Sequence, residues 1–140
     1  MNISTALVAC STTAFAAAAS ARVGWGAPVP AAVRAPIVEG RGFAWFANPG
    51  IGRLVAESLS ETHTWFTAWL DSVAPEGRPV VLVGFSRGAA FAGGLVLSDP
   101  RRYAGAAILL RTLPFEAGVP VTAHGPDGTP IIVAQGTRTP

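Results

Sequence analysis

The hydrophobic positions of this chain change their period along its length, and the changes mark its elements. The apolar run Pro79-Val80-Val81-Leu82-Val83 predicts a strand buried on both faces. Gly84-Phe85-Ser86-Arg87-Gly88 and the small-residue stretch Ala89-Ala90-Phe91-Ala92-Gly93-Gly94-Leu95 follow at once. They predict a sharp turn into a helix that runs to about Leu97, where Ser98-Asp99-Pro100 stops it. Upstream, from about Arg53 to Val73, the residues Leu54, Val55, Leu59, Trp65, Phe66, Trp69, Leu70 and Val73 recur at roughly helical spacing. Glu57, Glu61 and Asp71 lie between them, so an amphipathic helix is predicted here, ending at Pro75-Glu76-Gly77. Downstream, Ala106 to Leu110 and Ile131 to Ala134 read as two more buried strands. Alternating strands and helices give the fold class: α/β, with a mostly parallel sheet and helices on both faces.

The first third of the chain is patterned differently. Pro28 to Pro36 is punctuated by prolines and reads as a loop into a short extended segment around Ala35 to Val38. Gly40-Arg41-Gly42 turns the chain, and the aromatic patch Phe43-Ala44-Trp45-Phe46 precedes the turn signal Asn48-Pro49-Gly50. From Met1 to Ala21 a short apolar run, Ala6-Leu7-Val8-Ala9-Cys10, leads into an Ala/Ser/Thr tract. That tract ends in Ala19-Ser20-Ala21, which has the form of a signal-peptidase site, and Leu7-Val8-Ala9-Cys10 has the form of a lipoprotein box. A secretory signal also needs a positive start, and Met1-Asn2-Ile3-Ser4-Thr5 has none. A cytoplasmic chain is therefore expected, with export as the alternative. No stretch approaches about 20 apolar residues, so no membrane span is expected.

Composition narrows the classes further. With 50% hydrophobic and 13% charged residues, the chain belongs with compact globular proteins. Its formal charge of +2 comes from scattered arginines with no lysine, which excludes a nucleic-acid footprint; the pair Arg101-Arg102 reads as a solvated helix end. Cys10 is the single cysteine and no Cys/His spacing would hold a metal. A nucleotide binder would need a G-x-G-x-x-G, which is absent.

The candidate chemistry lies in Gly84-Phe85-Ser86-Arg87-Gly88. In a strand–turn–helix G-x-S-x-G the serine takes a strained backbone conformation, and the flanking glycines allow strand and helix to approach closely. The turn pushes the hydroxyl clear of the sheet and aims the next N–H at charge developing beside it.

From Val81 to Pro114 the chain resembles the phospholipase/carboxylesterase family of α/β-hydrolases. The likeness rests on the elbow, on the closing sequence Asp99-Pro100-Arg101-Arg102-Tyr103-Ala104-Gly105, on the strand Ala106 to Leu110 and on Leu113-Pro114. Arg34-Ala35-Pro36, Ala44-Trp45-Phe46 and Pro130-Ile131-Ile132-Val133-Ala134-Gln135-Gly136 extend it at either side. The resemblance implies a partial α/β-hydrolase domain over residues 34–140, with 1–33 unmatched. It implies Ser86 as nucleophile toward a small-molecule ester, an acyl-enzyme intermediate, the Arg87 backbone N–H as one oxyanion donor, and Trp45, Phe46 and Leu113 walling a substrate pocket beside Gly84 and Gly88. No cofactor is implied.

Three family parts have no counterpart here. The strand whose His-Gly loop gives the second oxyanion donor is not matched between Met1 and Val33. The acid position falls at Thr139, and the catalytic histidine would lie beyond Pro140. Asp99 does not substitute, because it lies thirteen residues from Ser86, about 20 Å along a helix at 1.5 Å per residue. Asp127 reads as a turn former, His124 as preceding the last strand on the far side of the sheet, and His63 as a surface helix histidine. The resemblance thus implies a serine carboxylic-ester hydrolase impaired by the absence of its triad Asp and His, as from a truncated gene. The alternative is a non-catalytic binding module of the same fold.

Overall fold

A computed structural model of the chain describes residues 6–11, 29–47, 49, 55–109, 125 and 128–136. In chain order the elements are β1 (Ala6–Ser11), β2 (Val29–Arg34), β3 (Ile37–Glu39), β4 (Gly42–Ala44), α1 (Ala56–Val73), β5 (Val80–Phe85), α2 (Arg87–Ser98), a 3₁₀ turn (Pro100–Arg102), β6 (Gly105–Leu109) and β7 (Ile131–Ala134). Five strands form one sheet in the order β2-β1-β5-β6-β7, and every neighbouring pair is parallel. β3 and β4 form a separate antiparallel hairpin around Gly40 and Arg41, as the glycines there predict.

The sheet corrects the reading of the first 33 residues. Ala6–Ser11, which includes the run Ala6–Cys10 that the export alternative would read as a signal core, is a central strand between β2 and β5, with Cys10 in register with Gly84. A boundary between residues 33 and 34 would cut β2 and leave β1 outside the sheet that it completes. The physical reason is simple: a run of five or six small apolar residues satisfies a signal core and a buried parallel strand equally well, and only pairing separates them. Ala19-Ser20-Ala21 lies outside the described residues. No helix among the described residues is long and apolar enough to cross a membrane.

Helices on both faces were expected; among the described residues α1 and α2 pack on the same one. Crossovers between parallel strands are right-handed. The steps β2 to β5 through α1 and β5 to β6 through α2 both move the same way across the sheet, so both helices fall on one side. On the opposite side Phe85 and Ile132 are 47% and 67% exposed, sharing a face through the registers of Phe85 with Leu109 and Leu109 with Ala134.

The core is set by aromatic rings between the two helices. Trp45 stacks on Phe91 with ring centroids 4.3 Å apart, and Phe66 meets both edge-on, at 6.2 and 5.5 Å. Leu59, Leu70, Val80, Leu82 and Ile108 are buried around them. The buried face of α1 is Leu59, Thr62, Phe66 and Leu70, which leaves Trp65 and Val73 in solvent at 42% and 46% exposure. Trp65 lies off the stripe that α-helical periodicity builds from the other four, while Val73 continues that stripe but is the last residue of α1.

Arg102 is also placed differently from its sequence reading. Its side chain is 11% exposed and its guanidinium donates to the Ala74 carbonyl at the end of α1 and to the Asp71 carboxylate at 3.4 Å. A cation at a helix C-terminus complements the carbonyls left without intrahelical donors. Arg101 is exposed, as expected of a solvated position.

Candidate functional site

Ser86 is the single residue between β5 and α2. Its φ of 53° and ψ of −119° make it the one non-glycine residue with positive φ among the described residues, in a region that costs about 1–3 kcal/mol for a residue with a Cβ. The surroundings hold it there. Its N–H donates to the Leu109 carbonyl of β6 at 3.0 Å, and its own carbonyl accepts from Ala89 N–H at 3.0 Å and Ala90 N–H at 3.4 Å. A serine at a helix N-cap ordinarily turns its hydroxyl back to accept from the first free N–H groups. Ser86 makes no such bond, so its hydroxyl is not spent on capping the helix.

Gly84 explains how strand and helix come so close. A Cβ there would stand 2.4 Å from the Gly88 carbonyl oxygen and 2.5 Å from the Ala89 Cα, both main-chain atoms that cannot swing aside. Gly88 is buried at the same contact. The elbow therefore sits at the carboxyl end of a central parallel strand, the rim where open α/β sheets place their ligands. Arg87, the first residue of α2, contributes one of the helix N-terminal N–H groups without an intrahelical acceptor. Its guanidinium is paired with the Glu39 carboxylate.

The other candidates are not gathered at the serine. Trp45 and Phe46 are fully buried, and Trp45 is occupied by Phe91 and Phe66. They build the core and present no surface to a ligand, which corrects their reading as pocket walls; an aromatic patch reads the same in sequence whichever of the two it serves. Leu113 lies outside the described residues, as do His124, Asp127 and Thr139.

His63 is not a surface histidine. Its ring packs edge-on to Phe91 at 4.8 Å, its Nε2 is buried without a hydrogen-bond partner, and burial lowers its pKa from 6.5 to about 4, against an opposing backbone hydrogen bond at Phe91. A base that weak is a poor acceptor for a serine proton at neutral pH. Asp99 follows α2 at the end remote from Ser86 and is exposed, as its spacing predicts. It borders a groove of about 1160 Å³ with His63, Asp71, Arg102 and Tyr103, and no elbow residue lines that groove. Among the described residues no group of three or more His, Cys, Asp or Glu side chains is disposed to hold a metal ion.

Sequence reasoning missed Glu39. It stands 48 residues from Arg87, in a hairpin with no catalytic motif, and only the tertiary fold brings the two together.

With this geometry in place the chain can be set beside known proteins. No protein-family model matches it, and no curated protein matches it. Among solved structures, a carboxylesterase from Mesorhizobium loti matches with a TM-score of 0.63 at 22% identity, over 91% of this chain. The two share an α/β fold. The chain spans 63% of the length of that carboxylesterase. A protein of unknown function from Agrobacterium tumefaciens matches with a TM-score of 0.66 at 12% identity, over 97% of this chain and 84% of its own. At these identities the likeness is one of fold.

Proposed function

We propose that this chain carries the nucleophile of a serine carboxylic-ester hydrolase of the α/β-hydrolase type, similar to the phospholipase/carboxylesterase family. The observation that carries the reading is Ser86 at φ 53° with a hydroxyl that does not cap its helix, on the carboxyl rim of a central parallel strand. A strained serine persists where the surroundings over-determine it, and such strain clusters at functional sites.

In this reading the Ser86 Oγ adds to an ester carbonyl, its proton passes to a base, and the carbonyl oxygen becomes an oxyanion facing the Arg87 N–H. Collapse expels the alcohol and leaves an acyl-serine, which water then cleaves to the acid. β1 supports this more strongly than the sequence does, since it leaves the sheet at Ser11 beside the elbow strand, on the same rim. His63, whose buried Nε2 has no hydrogen-bond partner and which lines a groove that no elbow residue borders, is not assigned as that base. Loss of the histidine in a serine protease costs about 10⁶ in turnover, so the described residues alone support at most a slow acylation.

A fluorophosphonate probe tests the reading. Covalent labelling of the folded chain, mapped to Ser86 and abolished in Ser86→Ala, is the expected result. A folded chain that stays unlabelled favours the second reading, a non-catalytic binding module of the same fold.

A further inference from the structure

We propose that Glu39 sets the charge preference of the Ser86 site: it occupies the Arg87 guanidinium and so favours uncharged esters over those whose acyl part ends in a carboxylate. This rests on the reading of Ser86 as the point of ester attack.

Arg87 directly follows the nucleophile and opens α2, so its side chain is the cation nearest to Ser86 in the sequence. Left unpaired, it would offer a planar, permanently charged fork to any carboxylate carried by a bound acyl group. Its Nη1 is instead bonded to the Glu39 Oε2. Arg41, two residues further on, is the other cation of the hairpin tip; it stands in solvent, where screening weakens its attraction.

Glu39 is held in place from the far end of its hairpin. Ala44, Trp45 and Phe46 at the base are fully buried, Trp45 is stacked on Phe91 of α2, and the Arg34 guanidinium lies 4.5 Å from the centre of the Phe43 ring. The hairpin pairs through only three registers, from Ile37 with Ala44 to Glu39 with Gly42. A two-stranded ribbon this short has little stability of its own, and α2 fastens both of its ends: Phe91 at the base through Trp45, Arg87 at the tip through Glu39. The carboxylate is thus delivered to the residue beside the serine by the same core that builds the helix.

Both partners are partly exposed, at 28% for Arg87 and 47% for Glu39. Exchange of Glu39 for a bound carboxylate is then worth what exposed pairs are worth, about a two- to fivefold change in affinity. The sign is fixed: removing Glu39 favours the anionic ligand.

The test uses Ser86→Ala, which binds without turnover, titrated by NMR with methyl butyrate and with monomethyl succinate, ligands that differ in a terminal carboxylate. The expected result is that adding Glu39→Gln tightens monomethyl succinate about two- to fivefold relative to methyl butyrate, and that adding Arg87→Gln as well removes the gain. An unchanged ratio, a gain that survives Arg87→Gln, or no binding of either ester overturns the proposal. Labelling by fluorophosphonate in the chain with Ser86 intact is independent of these titrations. A chain that labels but shows no shift in ratio loses only this proposal, whereas one that does not label loses the hydrolase reading.

Discussion

Replacing Ser86 with glycine should stabilise the protein while abolishing its proposed chemistry. At φ 53° and ψ −119° a residue with a Cβ stores about 1–3 kcal/mol of strain, which glycine does not feel. Against this gain, glycine gives the unfolded chain more freedom, at a cost of about 0.4–1 kcal/mol. No hydrogen bond is lost from the helix N-terminus, because the Ser86 hydroxyl does not cap it. The net expectation for Ser86→Gly is a gain of about 0.5–2 kcal/mol, or roughly 2–7 °C in Tm for a domain of this size. Ser86→Ala is the control. It removes the same hydroxyl but keeps the Cβ and hence the strain, so it should stay within about 0.5 kcal/mol of the native chain. Urea unfolding of the three proteins at pH 7.5, with melting curves beside it, reads the difference directly. If Ser86→Gly is no more stable than Ser86→Ala, the turn is not strained as described, and the argument from strain to function goes with it.

Two further outcomes follow from the glycines at either end of β5. Gly84→Ala places a methyl 2.4 Å from a main-chain oxygen and 2.5 Å from a Cα, beyond what side-chain repacking relieves, so a loss of about 3 kcal/mol or more is expected in urea unfolding. Gly77→Ala, at φ +89° with open space around it, should lose only about 1 kcal/mol; equal losses would show that close approach is not what Gly84 serves. His63 predicts a pH dependence. Its folded pKa of about 4 lies below the 6.5 of the unfolded chain, so the unfolded state binds the extra proton between those values. Stability is therefore full above about pH 6.5 and falls as the pH drops toward 4. Between pH 7.5 and 4.5 the native chain should lose roughly 2 kcal/mol more than His63→Gln, and parallel pH profiles would place the ring in solvent.

The periodicities along the chain determined the elements around the serine. An unbroken apolar run, a G-x-S-x-G and a small-residue stretch specify β5, the elbow and α2 within a residue or two, because each signal is local and backbone geometry alone demands it. The same is true of β6, of the position of β7 and of the turn at Gly40 and Arg41, although β7, expected to be buried, is an edge strand with Ile132 and Val133 exposed because no strand among the described residues pairs beyond it. What the tertiary structure decided is whatever depends on a partner distant in sequence. Ala6–Ser11 became a central strand because β2 and β5 lie on either side of it. Trp45 became core because Phe91 and Phe66 enclose it, and Arg102 became a helix cap because α1 ends against it. Glu39 reaches Arg87 only through a hairpin anchored in that aromatic core. A side chain's type and spacing carry its conformational preferences, while its burial, its charge partner and its accessibility to a ligand belong to the neighbours that folding supplies.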